Sequence, residues 1–213
     1  MPPVSRQHAL TRDRPVLPAR TALLVVDVQN GTFNDAQRAI RPEFFHAARD
    51  TVIPNLAALL SACRAAGIEV IYTVIENLTK DGRDRSLDYK LSSFFIARGS
   101  WEAKVIDALA PGDDEIVLPK TSSSVFNSTN IDYLLRNIGI EDLVVTGFLT
   151  DQCIDHTVKD AADRGYYVTC LTDACMANTH ARHAEALGCF AGYCRAMTTA
   201  AFLAALNPAA LNR

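Results

Sequence analysis

The sequence predicts an α/β fold, with three α/β/α layers built around a six-stranded, mostly parallel sheet. Three observations carry this. Ala22-Leu23-Leu24-Val25-Val26-Asp27-Val28 is an apolar run broken by one carboxylate, the pattern of a strand covered on both faces. Beyond residue 115 strand and helix patterns alternate regularly. Gly67 and Gly165 stand where helices must stop.

The elements follow in order. Residues 1–20 read as a polar, Pro-containing arm, disordered or packed on a partner subunit, and 21–213 as a single domain. Ala22 to Val28 is the first strand. Arg49 to Ala66 carries Val52, Ile53, Leu56, Leu59, Leu60 and Cys63 at helical spacing. Glu69 to Val74 is the second strand. Residues 77–98 are charged and aperiodic, a structureless connection of the kind that serves as a lid or binding loop. Trp101 to Leu109 is expected as a short helix and Glu115 to Leu118 as the third strand. Ile131, Leu134, Leu135 and Ile138 mark one helix face. Leu143 to Thr146 is the fourth strand, Asp151 to Arg164 a helix, and Tyr166 to Leu171 the fifth strand. His180 to Phe190 is a helix, Ala196 to Thr198 a short last strand, and an Ala/Leu helix ends the chain.

Composition narrows the function classes. Twenty-one basic residues face 24 acidic ones, for a net charge of −3. This gives no electrostatic reason to expect nucleic acid or an anionic membrane as partner. No apolar signal segment and no run long enough to span a membrane are visible, so a cytoplasmic location is expected. Six scattered cysteines without a C-x-x-C pair read as free thiols. His156 lies one turn after Cys153. The histidines form no zinc-like cluster, and no metal or cofactor is expected.

In an open parallel sheet, ligands sit beyond the carboxyl ends of the strands. Three residues fall there. Asp27 ends the first strand, where a carboxylate is costly unless compensated. Lys120 follows the third strand. Cys153 falls in the first turn of the helix after the fourth strand, where backbone N–H groups and the macrodipole lower a thiol pKa. Each also has a plain structural reading: a turn-capping carboxylate, a surface lysine, a buried cysteine. Lys120-Thr121-Ser122 lacks the glycine of a phosphate loop, and no G-x-G-x-x-G is present.

These segments carry a family pattern. Leu23-Leu24-Val25-Val26-Asp27-Val28-Gln29-Asn30, Leu118-Pro119-Lys120 and Gly147-Phe148-Leu149-Thr150-Asp151-Gln152-Cys153 resemble three motifs of the isochorismatase-like cysteine hydrolases, in the family's order. Asp160 to Tyr166 and Leu171 to Cys175 match as well. The resemblance runs from about Thr21 to about Ala205. It implies a Rossmann-like α/β/α hydrolase domain and a homodimer or homotetramer. It also implies an amidohydrolase with Asp27 as general base, Lys120 as charge holder and Cys153 as nucleophile, because members that cleave vinyl ethers often lack the cysteine. Nicotinamidases of the family carry a D-x-H metal motif. Here Tyr72 to Asn77 contains no histidine. Arg98 to Trp101 and Asp113 to Lys120 resemble ureidoacrylate and related carbamoyl amidohydrolases.

The implied chemistry is attack of the Cys153 thiolate on a small amide or ureido carbonyl, then hydrolysis of a thioester. The backbone N–H groups of Leu149 and Cys153 would form the oxyanion hole, with a cis peptide at Phe148–Leu149. Asn30, Phe33, Asn77, Phe126 and Phe148 are the expected substrate-binding residues. Arg83, Arg85 and Lys90 could meet a substrate carboxylate. Isochorismatase-type vinyl ether hydrolysis, nicotinamidase-like activity and a non-catalytic binding or redox-sensing module are the alternatives.

Overall fold

The computed structural model describes residues 10–206. Part of the expected arm and the last residues of the chain lie outside them. Six parallel strands form one sheet: β1 (Thr21–Val26), β2 (Glu69–Ile75), β3 (Ile116–Lys120), β4 (Asp142–Phe148), β5 (Tyr167–Met176) and β6 (Arg195–Met197). Their order is β3-β2-β1-β4-β5-β6. The chain winds outward from β1 to β3, then returns to the other side of β1 as β4. The carboxyl ends of β1 and β4 therefore flank the switch point where such sheets bind ligands.

Strand alternation builds two apolar layers. Ala22, Leu24 and Val26 face one side, with α5 (Val125–Ser128), α6 (Ile131–Ile138), α7 (Asp155–Asp163) and α8 (His180–Phe190) supplying Val125, Ile131, Leu135, Val158 and Phe190. Leu23 and Val25 face the other, against Phe44, Leu56, Leu59 and Phe202. Those come from α2 (Pro42–Ala47), α3 (Ile53–Ala66) and α9 (Thr199–Leu206). Each β1 residue is thus buried whichever way it points, which explains the absence of a polar alternation in its sequence.

Four expectations change. The helix expected at Arg49–Ala66 extends back: a short α1 (Gln37–Ile40) leads to α2, and a π-helical turn, Ala48–Val52, joins α2 to α3. Gly67 ends it as predicted, in the left-handed region at φ 71°. The 77–98 segment is not structureless. It holds α4 (Leu87–Leu91), capped by Ser86, whose hydroxyl accepts the Tyr89 N–H at 3.2 Å. The expected helix at Trp101–Leu109 does not form beyond a 3₁₀ turn at Asp107–Leu109. Its carbonyls are used elsewhere: Lys104 and Glu102 accept the Asn30 and Gly31 N–H groups, and Val105 bridges to Gln29. Finally, β5 runs on to Met176, with a register break opposite Val145–Gly147.

The described part of the arm folds back on its own chain. Arg14 pairs with Glu141 at 3.4 Å and stacks over Tyr167 at 3.8 Å. None of the described helices is long and apolar enough to cross a membrane.

Gly147 lets β4 approach β1 at the switch point. Its φ is 111°, and a Cβ there would stand 2.1 Å from the Val26 carbonyl oxygen. Gly147→Ala combines backbone strain with a clash against backbone, and should lose ~3 kcal/mol or more. Gly139→Ala, at φ 88° with nothing within 4 Å of the new methyl, should lose only ~1 kcal/mol. Urea unfolding of both variants checks the contrast.

Candidate active site

Three strand ends bring Asp27, Lys120 and Cys153 into contact. Asp27 follows β1 and takes a left-handed backbone, φ 57°, while its N–H stays anchored on the Thr73 carbonyl of β2. Lys120 is the last residue of β3, which runs two residues past the expected end at Leu118. Its ammonium lies 2.9 Å from Asp27 Oδ2 and 3.3 Å from Cys153 Sγ. It also donates to the Ser122 carbonyl at 2.8 Å. Thr73 donates to Asp27 Oδ1 at 3.0 Å. Cys153 sits in a π-helical turn, Thr150–Ile154, that leads into α7. Asp27, Lys120 and Cys153 are 1%, 0% and 4% exposed, so the cluster is desolvated.

Burial sets the protonation states. It raises the Asp27 carboxyl above the usual carboxylate range, although Lys120 pulls it back. Burial works to discharge Lys120, but Asp27, Cys153 and Tyr89 more than offset it, and the lysine stays an ammonium. The Cys153 thiol is pushed up to about 12 by burial, against the opposing pull of Lys120. This runs against the expectation of a thiol lowered by its helix position: loss of water, with the Asp27 charge beside it, outweighs the pull of Lys120. The 2.9 Å contact of Lys120 with Asp27 fits a cluster of carboxylate, ammonium and neutral thiol. Transfer of the thiol proton to Asp27 leaves thiolate, ammonium and carboxylic acid. Both states carry one positive and one negative charge, so the negative charge moves from oxygen to sulfur without a net charge entering the protein.

Two cavities adjoin at the sulfur. One, about 330 Å³, is lined by Asp27, Arg41, Phe148, Leu149, Cys153 and Asn178 among others. The second, about 720 Å³, is lined by Ser86, Tyr89, Ser122, Asn127, Cys153 and Arg182 among others. Both have the size of small-molecule sites.

Of the expected substrate-binding residues, Phe148 alone lines either cavity. Asn30 and Phe33 border a separate groove, where the Asn30 amide donates to the Trp101 carbonyl. Asn77 is buried, its N–H held by the Ile96 carbonyl. Phe126 packs in the core against Tyr166. Two of these corrections share a cause. The backbone after β1 and β2 pairs with residues 96–106, which turns Asn30 and Asn77 into the structure. Arg83 pairs with Asp81, Arg85 donates to the Gly82 and Phe94 carbonyls, and Lys90 is exposed on α4; none of the three lines either cavity. Leu149 lies beside Cys153 on the smaller cavity, its carbonyl accepting the Gln152 and Ile154 N–H groups. The Phe148–Leu149 peptide is cis. His156 bonds to the Gln152 carbonyl on its own helix. Among the described residues, no group of three or more His, Cys, Asp or Glu side chains is placed to hold a metal.

Sequence reading missed Tyr89 and Arg41. The Tyr89 hydroxyl lies 3.5 Å from Lys120 Nζ and 3.9 Å from Cys153 Sγ. Its one local signal was Ser86, three residues earlier, as a helix cap. Arg41 reaches the smaller cavity from the loop between α1 and α2, where no periodicity points to it.

The Isochorismatase domain profile matches residues 21–202. The chain is 35% identical over 176 residues to the ureidoacrylate amidohydrolase RutB of Serratia proteamaculans, covering 74% of this chain and 70% of that one. It is 32% identical over 196 residues to the protein of that name from Rhizobium rhizogenes, covering 81% and 78%. Among solved structures it resembles a cysteine hydrolase from Pseudomonas syringae pv. phaseolicola 1448A, with TM-score 0.81, 29% identity and coverage of 92% and 96%. It also resembles N-carbamoylsarcosine amidase from Thermoplasma acidophilum, with TM-score 0.70, 25% identity and coverage of 84% and 96%.

Lys120→Met leaves the Asp27 charge buried and unpaired, and should cost ~3–5 kcal/mol by urea unfolding. Adding Asp27→Asn should restore a large part of that loss. The same lysine variant removes the chief influence opposing burial at Cys153. Iodoacetamide at pH 8 should then alkylate Cys153 at least ~10-fold more slowly than in the parent protein. Peptide mass spectrometry reads this against exposed Cys189, which should label equally in both; equal rates at Cys153 would sink the role given to Lys120.

Proposed function

The chain belongs to the isochorismatase family, and on that premise we propose that it is a cysteine hydrolase of the C–N bond in a small amide, ureido or carbamoyl substrate. The observation that carries this reading is the buried Asp27–Lys120–Cys153 contact at the floor of two cavities. The names of the relatives, ureidoacrylate amidohydrolase and N-carbamoylsarcosine amidase, support it.

Asp27 takes the thiol proton as general base, and Lys120 receives the thiolate. The sulfur attacks the carbonyl carbon. The resulting oxyanion is met by the N–H groups of Leu149 and Cys153; one such donor is worth ~10²–10³ in rate. Protonated Asp27 returns its proton to the departing nitrogen, and ammonia or an amine leaves a thioester on Cys153. Water, deprotonated by Asp27, then attacks that thioester and releases the sulfur. Phe148 walls the smaller cavity.

Six free thiols among the described residues support a cytoplasmic location. Exposed Leu87 and Leu91 on α4 support assembly as a homodimer or homotetramer.

An ammonia-release screen over ureido acids, carbamoyl amino acids and simple amides should find turnover with at least one class. Cys153→Ala should lower kcat by roughly 10⁴-fold or more on that substrate. A Cys153→Ala protein of undiminished activity would overturn the thiol mechanism.

A further inference from the structure

Arg41 is an unusual cation for this site. It lines the smaller cavity together with Asp27 and Cys153. All three of its bonded partners are neutral. Nε donates to Gln37 Oε1 at 2.7 Å, Nη1 to Asn178 Oδ1 at 3.1 Å, and Nη2 to the Thr32 carbonyl at 2.6 Å. Its guanidinium carbon lies 4.3 Å from the Phe44 ring centroid. Among the described residues no carboxylate forms an ion pair with it, whereas Arg182 at the edge of the larger cavity is paired with Asp151. Asp27, the other charged side chain lining the smaller cavity, is already neutralised by Lys120.

The consequence is a fixed, half-buried and uncompensated positive charge facing the space beside the nucleophile. A guanidinium has five N–H donors, and three are used here, leaving one on each terminal nitrogen. That pair of donors matches the two oxygens of a carboxylate. The neutral acceptors and the Phe44 ring hold the fork in place without cancelling its charge, so little ordering remains to be done when an anion arrives.

We propose that Arg41 receives a carboxylate of the substrate and that the enzyme selects ureido or carbamoyl acids over their neutral counterparts. This rests on the hydrolase reading only for the placement of the reacting carbonyl at Cys153. Arg41 is a binding and specificity residue and takes no part in proton transfer.

The test compares 3-ureidopropionate with propylurea, which has the same urea and chain but no carboxylate. In the parent protein kcat/KM should favour the acid by roughly 10²-fold or more. Arg41→Met should lose about that factor on the acid, chiefly in KM, and change propylurea turnover by less than ~3-fold. Arg41→Lys, which keeps the charge but not the fork, should recover part of the loss on the acid. Equal losses on both compounds would assign Arg41 a purely structural role and overturn the proposal, as would a parent protein indifferent to the carboxylate. Calorimetric binding of 3-ureidopropionate to Cys153→Ala protein, with and without Arg41→Met, separates this proposal from the hydrolase reading. Arg41-dependent binding without turnover by the parent protein would keep the carboxylate site and overturn the hydrolysis. Binding that ignores Arg41 would overturn the carboxylate site whatever the turnover.

Discussion

The buried contact between Lys120 and Asp27 is the constraint on which the rest of the site depends. An ammonium and a carboxylate with almost no exposure each lose several kcal/mol of hydration. They remain tolerable only at 2.9 Å from one another and with their other bonds filled, by Thr73 on one side and by the Ser122 carbonyl on the other. That demand fixes the ends of β1, β2 and β3 relative to each other. Cys153 then enters as the third member from β4, on the far side of β1. Replacing the pair with apolar groups would be the cheaper way to fill the space; the proposed mechanism gives the charges their use.

The sheet topology makes the contact possible. Asp27, Lys120 and Cys153 are separated by long stretches of chain, yet the order β3-β2-β1-β4 brings their strand ends side by side. Gly147 closes the gap between β1 and β4. Gln29 ties the loop after β1 to β2 and to the 101–106 segment, donating to the Ile75 and Glu102 carbonyls and accepting the Ile75 N–H. The floor of the site is therefore made of strand ends, and its walls of the connections after β1 and β2.

This division explains what could be read from the sequence. Strand-end residues announce themselves: a lone Asp in an apolar run, a Lys after Ile-Val-Leu-Pro, a Cys two residues into a helix that follows a glycine turn. Their positions follow from hydrophobic patterning, which is a local property. The walls do not. Whether Asn30 points into a cavity or into a backbone bond with Trp101 depends on a segment some seventy residues away, and no periodicity encodes that pairing. The failed helix at Trp101–Leu109 has the same origin: its carbonyls gain partners from the β1 loop that an isolated helix would have denied them. Tyr89 and Arg41 were invisible because each is delivered by a short helix or a loop whose course is set by tertiary contacts.

The state of the thiol follows from these same walls. A cysteine at a helix start, close to a lysine, would be a standing thiolate in an exposed setting. Here Ile75 and Phe94 line both cavities beside the sulfur, with Tyr89 on the larger and Phe148 and Leu149 on the smaller, and Cys153 is 4% exposed. Burial lifts the thiol to about 12 and lifts Asp27 toward the basicity a proton acceptor needs. The two shifts belong together. A carboxylate at its ordinary pKa beside so weak an acid would be a poor base, and an exposed carboxylate would not be raised. On the proposed mechanism, the desolvation that raises the thiol is the same desolvation that raises the basicity of Asp27, and Lys120 is in contact with both.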